Sequence, residues 1–352
     1  RWIVMTDGHV ELAICVVDSC VIPRELADQV KQAVTVATGI PTDRILMSVT
    51  HTHSAPSLMQ AHGTDRDPAY PGFLIPRLVS GAVKAKQNLA SARAGWVTIQ
   101  ADQHTNCRRW IRRPDRLLDD PFGQRTVRAN MHPGHRNPDT IGPAGPTDPG
   151  LTVLAIETSA GRPIALLANY SMHYFGAAAV SSDYYGRFAK KIGNRLSARD
   201  EDSDGPPIVG IMSQGTSGDL QWMNYGQTRR QVTYDQYAEE LAEMVDQAYG
   251  DIAFRDDVSL AMVDRDLELD VRLPDADRLK WAEAKMGEFD GANGGKPKTR
   301  PQIYAREQFY LKNYPKRSVK LQALRIGDLG IAAISAEVYG ITGLKLKLQS
   351  PF

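Results

Sequence analysis

His51 and His53 stand two residues apart in SVTHTHSAPS (48–57), at the end of an apolar run, in a chain with only eight histidines. In an extended segment residues i and i+2 point to one face. Both imidazoles are therefore expected to project together, which suits a metal ion. The alternative is a pair of polar tips bonded to loop backbone, since histidine serves both purposes. His173 closes the hairpin-like stretch LTVLAIETSAGRPIALLANYSMH, again at the end of an apolar run. Glu337 follows the apolar strand of RIGDLGIAAISAEVYG, where it could equally be an acid favouring a helix N-terminus. Each of the four falls where an apolar strand finishes. Three imidazoles and one carboxylate form a zinc-type donor set that leaves a position for water or substrate, and none lies in a cysteine-rich structural motif. That favours a catalytic metal.

Strands and helices must place these residues. VELAICVVDS is a continuous apolar run, as expected of a strand covered on both faces. IPRELADQVKQAVTVATG has Pro23 placed for a first helical turn, apolar residues at helical spacing, and Gly39 as the stop. DRILMSVTHTH is a second buried strand. Strand, helix, strand implies parallel neighbours joined by a right-handed crossover. Ligands of such sheets bind beyond the carboxyl ends of the strands, where His51 and His53 lie. PPIVGIMSQGTSGDL reads as a further strand ending in a glycine-rich turn with Asp219. The expected fold class is α/β: a mixed β-sheet core with flanking helices and the metal site at strand carboxyl ends. Strands are expected near 10–18, 44–50, 151–158, 163–172, 207–213 and 330–336, in one sheet system. Helices are expected near 23–38 and 74–90. Residues 106–150, rich in Arg, Pro, Gly and Asn, read as a long loop holding His132 and His135. Its arginines could meet an acidic group, or pair with the loop's own carboxylates and carbonyls.

Composition narrows the classes. With 42 basic and 41 acidic residues the formal net charge is +1, which gives no sign of a nucleic-acid or membrane-surface binder. No apolar run approaches the ~18 residues of a transmembrane segment. Cys15, Cys20 and Cys107 do not make a disulfide framework.

The set THTHSAP, NYSMHYFG, SSDYYGRF, MSQGTSGDL and ISAEVYGITGLKLK, in this order, resembles the neutral/alkaline non-lysosomal ceramidase family. The resemblance runs from TDGHVELAICVVDSC to GLKLKLQ, closest to the bacterial members. It implies one catalytic domain over 1–352, trimmed at both ends, with the family's C-terminal immunoglobulin-like domain absent. It further implies a zinc amidohydrolase cleaving an N-acyl bond, a small-molecule or lipid substrate, and an extracytoplasmic location. The ligands it implies for Zn2+ are His51, His53, His173 and Glu337. Two departures stand out. The family places a serine two residues beyond the aspartate of its Q-G-T-x-G-D stretch, where this chain has Gln221. The family also has a tyrosine near the metal, from a segment downstream of the glutamate, which the resemblance implies would follow residue 352, so the site is expected to be open on that side. Zinc-activated water could act without the serine, with Gln221 and the backbone amides of Gly215–Gly218 as candidate oxyanion donors. Asp183 and Asp219 are candidates for orienting a ligand histidine, or for turn-forming residues. Three classes stay open: a ceramidase-type amidohydrolase, a zinc hydrolase of the same fold for a different ester, amide or sugar-linked substrate, and a non-catalytic binding protein that kept the fold.

Overall fold

The computed structural model describes residues 1–199, 205–291 and 294–352. In chain order the elements are β1 (Trp2–Thr6), β2 (Glu11–Val17), α1 (Arg24–Thr38), β3 (Ile45–Val49), α2 (Tyr70–Gln87), β4 (Ala92–Gln100), β5 (Asn106–Cys107), β6 (Arg109–Arg112), β7 (Ala129–Met131), β8 (Thr140–Pro143), β9 (Gly150–Thr158) and β10 (Pro163–Tyr170). There follow α3 (Asp183–Ser197), β11 (Val209–Gln214), β12 (Leu220–Gln221), α4 (Tyr234–Tyr249), β13 (Leu260–Asp270), α5 (Ala276–Gly287), α6 (Arg300–Lys312), β14 (Lys316–Ile326), β15 (Leu329–Ile334) and α7 (Gly340–Gln349).

The class is mixed α/β, and β2 and β3 pair in parallel as the strand–helix–strand pattern requires. The expected single sheet system is corrected. The six expected strands fall in three sheets, ordered β1-β2-β3, β11-β10-β9-β4 and β13-β14-β15. The physical reason lies in the period-2 alternation along each strand. Leu12, Ile14 and Val16 of β2 meet Leu154 and Ile156 of β9, Ala165 and Leu167 of β10, and Met262 and Ile326 of the third sheet in one buried cluster. The other face of β2, Ala13, Cys15 and Val17, packs on Val30 and Val34 of α1 and Leu74 and Leu78 of α2. Leu151, Val153 and Ala155 of β9 turn the opposite way, onto Phe188 and Ile192 of α3 and Leu241 and Val245 of α4. The order of layers is helices, sheets, sheet, helices. A strand buried on both faces reads the same whether its second cover is a helix or another sheet.

Residues 106–150 are not one open loop. β6 pairs with both β7 and β8 in a small antiparallel sheet. These strands have three or four residues, too short for an alternation to register. Within this region Arg112 bonds Asp139 at 3.2 Å and Arg113 bonds Asp115 at 3.0 Å, so these arginines serve the segment itself. Arg108 and Arg109 leave it for the strand-end site described next.

Candidate metal centre

β3 ends at Val49, β10 at Tyr170 and β15 at Ile334, so His51, His53, His173 and Glu337 all lie two to four residues past a strand. The structure brings the four together. His51 Nε2 is 3.1 Å from His173 Nε2 and 3.1 Å from His53 Nε2. Glu337 places one oxygen 3.9 Å from His51 Nε2 and the other 3.8 Å from His173 Nε2.

The strand argument for His51 and His53 needs refinement. Both lie beyond β3, and His51 has a left-handed backbone, φ 65°. Alternation persists nonetheless. Thr50, Thr52 and Ser54, which alternate with the two histidines, are buried. The Thr52 hydroxyl donates to Ser181 O at 2.8 Å, and the Ser54 hydroxyl to Ala177 O at 2.5 Å. The small hydroxyl residues of THTHS therefore lock this turn onto the loop that follows His173.

That loop is held by Asp183. Its carboxylate accepts from the backbone N–H of Phe175, Gly176, Ala177 and Tyr184 at 2.6–3.1 Å. Asp219 accepts from Gly340 N at 2.9 Å and pairs with Arg109 at 3.1 Å, which tethers the start of α7. Neither aspartate bonds a histidine ring as expected. Backbone carbonyls do that work: His51 Nδ1 donates to Cys20 O at 2.6 Å and His173 Nδ1 to Ser217 O at 3.1 Å.

The expected donor role of the Gly215 and Gly218 amides also meets a different arrangement. Gly215 N donates to Tyr170 O at 2.9 Å and Gly218 N to Val338 O at 2.8 Å. The glycines are needed for close approach instead. A Cβ on Gly215 would sit 2.5 Å from Ser171 Oγ, and one on Gly218 would sit 2.9 Å from Val338 O. Gln221 is buried in β12, and its Nε2 has no hydrogen-bond partner.

Three contributors were not apparent from the sequence. Arg108 is buried and donates to Gly218 O at 2.6 Å and to Glu337 Oε1 at 3.0 Å. Tyr174 stacks on His53, ring centroids 3.7 Å apart. Cys20 Sγ lies 3.7 Å from His51 Nδ1. Arg108 stands among many loop arginines, and only the return of Glu337 over a separation of 229 residues singles it out. For Tyr174 the adjacency to His173 was the available signal.

The donor chemistry tests the fit to a cation. A carbonyl oxygen only accepts, so Nδ1 carries the proton in His51 and in His173. Their Nε2 atoms are then two bare lone pairs 3.1 Å apart. Protonating His173 or His53 is disfavoured. Burial, then the charge of Arg108 and the neighbouring imidazoles, hold His173 down at about 2. Burial, then His51 and Arg108, hold His53 down at about 4. Two ligand atoms about 2.05 Å from a tetrahedral ion stand roughly 3.3 Å apart, close to the observed spacing. The donor set therefore fits a divalent cation. The Glu337 side chain, 49% exposed, leaves the cluster reachable from solvent.

No protein-family model matches the chain, and a search of curated proteins gives no match. Among solved structures, the neutral ceramidase from Pseudomonas aeruginosa superposes with a TM-score of 0.63 at 16% identity, covering 97% of this chain and 56% of that one. A ceramidase complexed with C2 gives 0.59 at 15% identity, covering 97% of this chain and 58% of that one. The chain thus spans little more than half the length of these ceramidases and shares their fold. No helix among the described residues is long and apolar enough to cross a membrane.

Proposed function

We propose that this chain is a metal-dependent hydrolase of the neutral-ceramidase kind, in which His51, His53, His173 and Glu337 hold Zn2+ and an N-acyl amide bond is cleaved by water. One observation carries the reading: the bare Nε2 atoms of His51 and His173 face each other at 3.1 Å beside a carboxylate. The shared fold supports the reaction class. When bound, zinc supplies Lewis acidity and a water acidified to a pKa of about 7.

The protein's own residues do the rest. Cys20 O and Ser217 O fix the ring tautomers, as partners of metal-bound histidines commonly do. Arg108 holds Glu337 by Oε1 and leaves Oε2 turned toward His51. Glu337 offsets cation charge. The free Nε2–H group of Gln221 is the candidate hydrogen-bond donor to a developing oxyanion. Asp183 and Asp219 hold the two loops that carry His173 and Glu337. Gln221 at the position of the ceramidase serine favours a second reading, the same chemistry on a different ester, amide or sugar-linked substrate.

The test is metal analysis of purified protein followed by a panel of ceramides, N-acyl amino acids and esters. About one zinc per chain, with hydrolysis that a chelator stops and zinc restores, is expected. Full hydrolysis in metal-free protein would sink the proposal.

A further inference from the structure

His132, on the arginine-rich segment, lies outside the four-residue cluster, yet the fold ties it there. Its backbone N–H donates to Arg108 O at 3.0 Å, and the Arg108 side chain reaches Glu337. Its Nδ1 lies 2.6 Å from the hydroxyl of Tyr225, a buried residue in the turn that follows Gln221. The Gln221 side chain stands beside that hydroxyl, and Arg108, Tyr174 and Arg229 act on it electrostatically. Tyr174 in turn stacks on His53. Gln221, Arg108 and Tyr174, all members of the candidate centre, thus border one phenol. The turn that carries it is fastened. His135 Nδ1 donates to Asn224 O and Gln227 O, and Arg136 N donates to Tyr225 O at 2.8 Å. Burial raises the pKa of the phenol, while burial and then Arg108 lower that of His132, so both are neutral near pH 7. His132 itself is exposed to solvent.

Cleaving an amide requires a proton at the departing nitrogen, because an amine leaves far more readily than its anion. The carboxamide of Gln221 donates hydrogen bonds but does not give up a proton. We propose that Tyr225 donates this proton to the leaving nitrogen and that His132 restores it from solvent. The assignment rests on the proposed hydrolytic function. The step balances: the C–N bond and the Tyr225 O–H bond break while an N–H bond forms on the leaving amine. The His132 Nδ1 proton passes to the phenolate oxygen, and Nε2 takes a proton from water. Nothing is oxidised or reduced. Tyr225 is the catalytic residue, and His132 positions and recharges it. The relay requires His132 Nδ1–H to donate to the phenol oxygen, which leaves the phenol's own proton free for substrate.

The test compares two probes that share an acyl chain, dodecanoyl anilide and dodecanoyl nitrophenyl ester. The anilide nitrogen needs a proton to leave, and nitrophenolate does not. In zinc-loaded protein Tyr225→Phe should lower kcat for the anilide by on the order of a hundredfold or more, and for the ester by no more than about tenfold. His132→Ala should shift the same ratio in the same direction, by less. Zinc content and the thermal transition should match wild type in both variants. A merely structural role would lower both probes together. Nitrogen–proton NMR of the metal-free chain gives a reading independent of activity: His132 should carry its proton on Nδ1, and Tyr225→Phe should move its resonances. Equal losses on the two probes, or a His132 protonated on Nε2 alone, overturns the assignment while leaving the hydrolytic centre standing. Zinc-loaded wild type that cleaves neither probe sinks the hydrolytic reading, and the role of Tyr225 with it.

Discussion

Among the described residues, two places bring histidine, glutamate and arginine together, and they are chemically unlike. On the flank of α4, His104 Nε2 meets Glu240 at 2.9 Å, and Arg230 closes on the same carboxylate. The pair borders a shallow depression of about 300 Å³ lined also by Gln103, Glu243, Met244 and Gln247. There the imidazole proton points at the acid, and the ion pairs neutralise themselves. At the strand-end cluster the imidazole protons point away, at Cys20 O and Ser217 O, and Glu337 stays 3.8–3.9 Å from the Nε2 atoms. The same residue types make a closed surface contact in one place and an array of free lone pairs in the other. The tautomer, set by backbone carbonyls, is what separates them.

The sharpest way to break this comparison is to remove one histidine from each place. His173→Ala should abolish stoichiometric zinc, a loss exceeding the roughly 10–100-fold that removal of an outer partner costs. His104→Ala should leave zinc content unchanged. Equal effects in metal analysis would erase the distinction.

Asp183→Asn probes the scaffold behind the cluster. Asparagine tolerates the left-handed backbone of Asp183, φ 55°, so the change isolates the charge. Weakened bonds to four N–H groups should cost about 2 kcal/mol, read by denaturant unfolding. An unchanged midpoint would contradict the clamp role.

Acid sharpens the contrast further. His173 has a folded-state value of about 2, held down first by burial, against roughly 6.5 for an unfolded chain. The unfolded state therefore takes up the proton first. Stability is complete above about pH 6.5 and declines as pH falls toward the folded value, by about 1.4 kcal/mol per pH unit for one such group. Unfolding of metal-free protein should approach that slope between about pH 5.5 and 4, and His173→Phe should reduce it by up to one proton. A slope that His173→Phe leaves intact would place the dependence elsewhere.

The smallest effect belongs to the closed contact. Glu240 is partly exposed; burial raises its pKa, but the bonds from Arg230 and His104 outweigh this and lower it overall. Glu240→Gln should cost no more than about 1 kcal/mol and leave metal binding untouched. Loss of metal in that variant would tie the two regions together.

The sequence by itself determined the apolar strands, the helix ending before Gly39, the parallel pairing of β2 with β3, and the alternation that turns His51 and His53 to one side of THTHS. It also placed His173 and Glu337 at strand ends. These are local properties: period, caps and glycine stops act within about ten residues. Tertiary structure alone decided how the six expected strands divide among three sheets, because an apolar strand face does not specify whether helix or sheet covers it. It decided that α3 caps its loop through Asp183 and that Arg108, rather than its many neighbours, reaches Glu337. It also decided the ring tautomers. The carbonyls of Cys20 and Ser217 are backbone atoms that any residue carries, and only their position in space aims the lone pairs of His51 and His173 at one another.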